Sequence, residues 1–165
     1  MIVKQIIDED FVNYKKPSMV IAFPRCSWKC DNEAGEQVCQ NMPLANEPDI
    51  DIDIEKIACK YMHNKITSAV VCAGLEPFDS FHDLFCFIEQ IRNCCKCTDD
   101  IVIYTGYTED EIEDKILFLS TVFDNIIVKF GRFVPGQSKH LDPILGVELA
   151  SDNQYAKLYK KEYTI

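Results

Sequence analysis

Four short apolar runs recur along the chain: "MVIAF" (19–23), "TSAVVCAG" (67–74), "DIVIYTG" (100–106) and "NIIVKFG" (125–131). Each is too short for a core helix, which predicts buried strands. Helical patterns lie between them. Ile54, Ile57, Ala58, Tyr61 and Met62 recur at helical spacing after the acidic start of "DIDIDIEKIACKYMHN". Asp79 is placed to cap a helix with Phe81, Leu84, Phe85, Ile88 and Ile91 on one face. Thr108 and Glu111 fit a capping box ahead of Ile112, Ile116, Leu119 and Phe123. Strands alternating with single helices pair in parallel through right-handed crossovers, so the chain reads as an α/β fold. The four strands end in loops rich in chemistry: a cysteine loop, "GLEP", "TGY" and "GRF". In α/β folds sites gather at the carboxyl ends of strands. Residues 131–157 carry Pro and Gly without a period and predict an irregular wrap with one late strand near Val147 to Ala150. No internal repeat interrupts the pattern, so one domain over 1–165 is expected.

Composition narrows the function. No apolar run approaches the ~18 residues of a membrane-spanning helix. The start, "MIVKQIIDEDFVNYKK", lacks the features of a secretory signal, and the expected location is cytoplasmic. A net charge of −10 without a dense basic cluster speaks against nucleic-acid binding. Nine cysteines are many for a reducing compartment and lean towards metal or redox chemistry.

Three of them, Cys26, Cys30 and Cys39, stand in "FPRCSWKCDNEAGEQVCQN" (23–41), directly after the first predicted strand. Three residues separate the first pair and eight the second. The loop contains no CxxC pair and no histidine, although closed zinc sites normally use four protein ligands. Two readings stay open at this point: structural zinc or unmetallated thiols, and a four-iron cluster with one iron left for a small molecule. Cys59, Cys72 and Cys86 fall in apolar-periodic segments and are expected in the core. Cys94, Cys95 and Cys97 ("CCKC") end a predicted helix away from the loop; reactive thiols, ligands of another metal and incidental residues all remain open, with the last favoured. His63, His82 and His140 are not assigned as ligands.

The chain resembles the radical S-adenosylmethionine (SAM) enzymes, closest to the activating proteins of anaerobic ribonucleoside-triphosphate reductases. That family carries CxxxCxxC after its first strand, often with Asn two residues beyond the last cysteine. Here Cys26, Cys30 and Cys39 are followed by Gln40, Asn41 and Pro43. The longer gap behaves like a six-residue insertion, for which "NEAGEQ" is a fair choice; Gly35 would help it turn. A GGEP-like motif appears as Ala73-Gly74-Leu75-Glu76-Pro77, TGY as Thr105-Gly106-Tyr107, and an SSNQR-type stretch as "SDNQYAK" (151–157).

The resemblance implies a partial, open (β/α) barrel of parallel strands of the radical SAM type. It assigns a 4Fe-4S cluster to Cys26, Cys30 and Cys39, and SAM to a site including Gly74, Glu76, Thr105 and Asn153. Val38 takes the place of the family's aromatic residue beside adenine, and Trp28 either contacts adenine or packs over the cluster. Glu76 would meet the cofactor's amino group or be a solvated carboxylate. Asn153 and Gln154 would bind the cofactor or satisfy backbone groups, and Arg132 would meet a carboxylate or lie on the surface. The implied activity is glycyl-radical generation on an anaerobic ribonucleoside-triphosphate reductase or another glycyl-radical protein, with flavodoxin or ferredoxin as electron donor. Alternatives are a radical SAM enzyme acting on a small molecule or peptide, and a non-catalytic iron–sulfur or zinc protein of the same fold.

Overall fold

The computed structural model describes residues 1–161; the last four residues of the expected 1–165 domain lie outside that range. Its centre is the parallel array β3 (Ser18–Phe23), β5 (Ala69–Gly74), β6 (Asp100–Tyr104) and β7 (Ile126–Phe130). These are the four runs read from the sequence. Each is apolar on both sides because each sheet face is covered, as expected of parallel strands. Two antiparallel strands complete the six-stranded sheet, β2 (Gln5–Asp10) beside β3 and β10 (Tyr155–Tyr159) beside β7. The strand order β10-β7-β6-β5-β3-β2 is open at both ends, with no closure into a barrel among the described residues. Small pairs flank it: β1 (Ile2–Val3) with β4 (Ile50–Asp51), and β8 (His140–Asp142) with β9 (Val147–Leu149). The late strand expected near 147–150 is therefore half of a hairpin. The end of the expected irregular wrap is the edge strand β10.

Alternate side chains sort into two cores. Met19, Ile21, Phe23, Val70, Cys72, Ile101, Ile103, Val128 and Phe130 face the helices α3 (Ile54–His63), α4 (Phe81–Glu89) and α5 (Glu113–Val122). Val20, Val71, Val102 and Ile127 face the C-terminal wrap, where Leu145, Leu149 and Ala156 join Tyr14. A fully buried Leu or Ile contributes about 1.5–3 kcal/mol relative to exposure, so the wrap is a structural layer.

Several local expectations change. Asp79 does not cap α4 with its side chain. A 3-10 turn over Pro77–Ser80 comes first, capped by Glu76, and Asp79 reaches across to neighbouring loops. Glu111 accepts the Thr108 N–H at 2.9 Å, the reach-back half of a capping box, but a 3-10 turn at Asp110–Ile112 precedes α5. Cys72 is fully buried, whereas Cys59 is exposed and Cys86 half-buried with its Sγ 3.7 Å from His82 Nε2. Met62 is also exposed, so the apolar face of α3 is Ile57, Ala58 and Tyr61.

At the N-terminal end of the strands, Asp100 accepts hydrogen bonds from Tyr14 Oη (2.8 Å) and Asn125 Nδ2 (2.7 Å) and pairs with Lys16. Burial alone would raise its carboxyl, but these donors outweigh it and hold it below its ordinary value of 3.8. A lowered folded-state value gives stability that is present above the ordinary value and lost as pH falls through the lowered one. Urea unfolding of Asp100→Asn across the acid range should therefore show a shallower acid loss of stability than the parent protein.

Candidate metal centre

The cysteine loop leaves β3 at Phe23 and is ordered by its own backbone and one carboxylate. Trp28 adopts a left-handed conformation (φ 57°), and its N–H donates to Cys26 Sγ at 3.3 Å. This turn starts α1 (Lys29–Ala34), which holds Cys30 and ends at Gly35, again left-handed. The insertion is therefore partly helical. Asp31 Oδ1 then accepts the N–H groups of both Val38 and Cys39 at 2.8 Å, returning the long arm to the start of α1. Just beyond, Asn41 precedes α2 (Met42–Ala45), and its Nδ2 donates to the Gly74 carbonyl at 2.6 Å.

The other three strand-end loops converge on this one. Glu76 is 4% exposed and accepts from Thr105 Oγ1 at 2.8 Å, Gly106 N–H at 2.9 Å and Phe78 N–H at 3.1 Å. Burial outweighs these donors and pushes its carboxyl up to about 7. Asp79 accepts from the Ser27 N–H at 2.6 Å and the Tyr107 hydroxyl at 2.5 Å, joining the cysteine and TGY loops. Arg132 makes two contacts to Glu111, at 2.6 and 2.8 Å, and its Nε lies 3.2 Å from Glu33 of α1 without an aligned hydrogen bond. Lys29 Nζ reaches Glu111 at 2.8 Å and lies over the Tyr107 ring. Hydrogen bonding from Arg132 holds the Glu111 carboxyl down to about 2 despite partial burial. Arg132 thus meets carboxylates, the first of the two alternatives open in the sequence.

Gly106 lies where the loops meet. A Cβ there would be 3.5 Å from Cys30 Sγ, 3.7 Å from Glu76 Oε2 and 3.9 Å from Arg132 Cγ. Cys26, Cys30 and Cys39 are free and partly buried. Burial raises the Cys26 thiol to about 11; burial and the Cys39 charge raise Cys30. Thiols raised this way become ligands when a bound metal displaces their protons to solvent. Among the described residues, no three His, Cys, Asp or Glu side chains converge as ligands of one ion. A four-iron cluster makes a different demand, since each thiolate binds its own iron. The all-thiol donor set, the ordered long arm and the absence of a Gly106 side chain beside Cys30 fit such a cluster. Cys26, Ser27 and Trp28 also line an open groove of about 470 Å³ with Leu75 and Asp79.

Residues 19–150 match the model of the 4Fe-4S single cluster domain family. The chain belongs to that family. The match spans β3 through β9 and supports a 4Fe-4S cluster as the cofactor of this 4Fe-4S domain. No curated protein matches the chain. No helix among the described residues is long and apolar enough to cross a membrane.

The remaining candidates occupy definite places. Gly74 (φ 91°) must lack a side chain because a Cβ would lie 2.7 Å from Ala22 Cα on β3. Trp28 is half-buried at the groove, and Val38 lies on the Asp31-held arm. Asn153 Nδ2 donates to the Arg132 carbonyl at 2.9 Å, and Gln154 Nε2 to the Gly131 carbonyl at 3.1 Å, the backbone-satisfying alternative. Cys94 and Cys95 end the π-turn that extends α4 at the N-terminal end of the sheet, and Cys97 follows, far along each strand from the cysteine loop. Sequence reasoning missed Asp31, Glu111 as a charge hub, and Lys129, a charged residue within the apolar strand β7. That last signal was legible. Asp31→Ala should free the long arm and increase alkylation of Cys39 in the apo 4Fe-4S domain roughly five- to tenfold, on the scale of ~1 kcal/mol for a lost hydrogen bond. Peptide mass spectrometry reads the rate at each cysteine.

Proposed function

We propose that the 4Fe-4S domain is a radical SAM enzyme whose cluster is held by Cys26, Cys30 and Cys39. The observation that carries this reading is the convergence of four strand-end loops at Gly106, where Cys30, Glu76 and Arg132 lie in ordinary contact range of one missing side chain. The parallel sheet is then the partial barrel of that superfamily, and the chain acts as a single domain. Together, the reduced cluster and SAM supply one-electron cleavage of a sulfur–carbon bond, a source of a carbon radical.

The residues of the chain position and shield. Three cysteines leave one iron without a protein ligand, as an open coordination site requires. An ionised carboxylate offers about four lone-pair sites, and three protein donors approach Glu76. One site remains for the cofactor's amino group, whose positive charge would keep the carboxylate ionised despite burial. Thr105 and Gly106 fix the carboxylate, and Gly74 allows the GLEP loop to approach β3. Trp28 lines the groove and Val38 lies on the Asp31-held arm beside Cys39, and both are candidates for the adenine contact. Asn153 acts by holding the Arg132 backbone.

The target is a glycine in a partner protein, an anaerobic ribonucleoside-triphosphate reductase or another glycyl-radical enzyme, and a flavodoxin or ferredoxin supplies the electron. The open groove suits a protein surface as substrate, and an acidic chain suits a cytoplasmic, basic-faced partner. A second reading, an electron-transfer protein without SAM, is favoured by the protein hydrogen bonds that already occupy Thr105, Asn153 and most of Glu76.

Anaerobic reconstitution, reduction and addition of SAM should release 5′-deoxyadenosine. Cys39→Ala should abolish this product together with the cluster absorbance, and Glu76→Gln should weaken SAM binding roughly tenfold or more, the scale of a charge-assisted hydrogen bond. An electron paramagnetic resonance signal from a glycyl radical should follow when the reductase is added. A fully loaded cluster that never yields 5′-deoxyadenosine would leave the electron-transfer reading.

A further inference from the structure

Lys129 has no part in the site described so far, yet it is 7% exposed on β7. Lysines buried this deeply usually meet an acid. Here the ammonium donates to one carbonyl, Gly131 O at 2.9 Å, and stands 5.9 Å from the Tyr104 ring centroid, with no ion pair among the described residues. Its own carbonyl accepts the Thr105 N–H at 2.9 Å, and Lys129 is in register with Tyr104. The next residue after Thr105 is Gly106, beside Cys30 Sγ. Burial pushes its ammonium down to about 8, and the Cys30 and Glu76 charges oppose that shift. Arg132 also borders Gly106, but Glu33 and Glu111 already compensate it. Lys129 is the buried cation at this strand end that makes no ion pair among the described residues.

We propose that the buried Lys129 ammonium is the counter-charge of the 4Fe-4S cluster and raises its reduction potential. The inference rests on the cluster reading of Cys26, Cys30 and Cys39. One electron from a low-potential donor adds one negative charge to a cluster that already carries three thiolates. In a partly buried site a fixed cation stabilises the more negative state, because little water is present to do so. Cluster potentials respond to charge and solvent exposure of this kind.

The test is an anaerobic redox titration of the reconstituted full chain, followed by electron paramagnetic resonance of the reduced cluster. At the midpoint of the parent protein, Lys129→Met should lower the reduced-to-oxidised ratio about tenfold, on the Coulombic scale of one partly screened charge. Lys129→Arg keeps the charge and should stay within about twofold of the parent. A Lys129→Met protein that loads no cluster while Lys129→Arg loads and titrates normally supports the same role. An unshifted Lys129→Met midpoint overturns it. So do equal shifts, or equal loss of iron, in both variants, since these indicate packing rather than charge. Failure of the parent protein itself to take up a four-iron cluster would defeat the cluster reading instead.

Discussion

The parallel register of β3, β5, β6 and β7 is the constraint on which the rest of the structure depends. Phe23 lies opposite Gly74, and Tyr104 opposite Lys129, so the strands finish at nearly one level. Backbone bonding continues beyond the ends. Glu76 N–H donates to Arg25 O at 2.7 Å, and Gly131 N–H donates to Tyr107 O at 3.0 Å. The loops are therefore tied to one another before any side chain acts. Apolar burial on both faces of the sheet supplies the stability that holds this level.

On that platform the side chains perform two separable tasks. Glu76 and Thr105 join neighbouring loops through buried hydrogen bonds, where such bonds are strongest and unpaired groups most costly, and Asp79 does so nearer the surface. Arg132, Glu111, Glu33 and Lys29 join α1 to the far strands through charge. The insertion between Cys30 and Cys39 is accommodated because its first half joins α1 and Asp31 closes its second half. A long gap between two thiols thus becomes a short, ordered return.

Much of this was legible in the sequence because the central strands are predominantly apolar, Lys129 apart, and the helices amphipathic. The edge strands were not. "QIIDED" and "YAKLY" carry charge because an edge strand has one solvent-facing side, and their alternation is too short to stand out. Asp79 illustrates a different limit. A capping aspartate and an aspartate bridging two loops look alike until Ser27 and Tyr107 are brought beside it. Cys59 and Met62 fell on the wrong side of α3 because a helical pattern fixes a face only to within one position. Arg132 and Asn153 were each left with two readings, which only the folded loops separate.

The central claim is that three cysteines of one ordered loop hold a four-iron cluster with one iron open to SAM. Mössbauer spectroscopy of the anaerobically reconstituted, isotopically enriched protein, recorded with and without SAM, tests it most directly. The account predicts one four-iron cluster per chain, with one iron site changing its parameters when SAM is added. A spectrum of a four-iron cluster that is identical with and without SAM, or a protein that retains zinc and no iron, would contradict it.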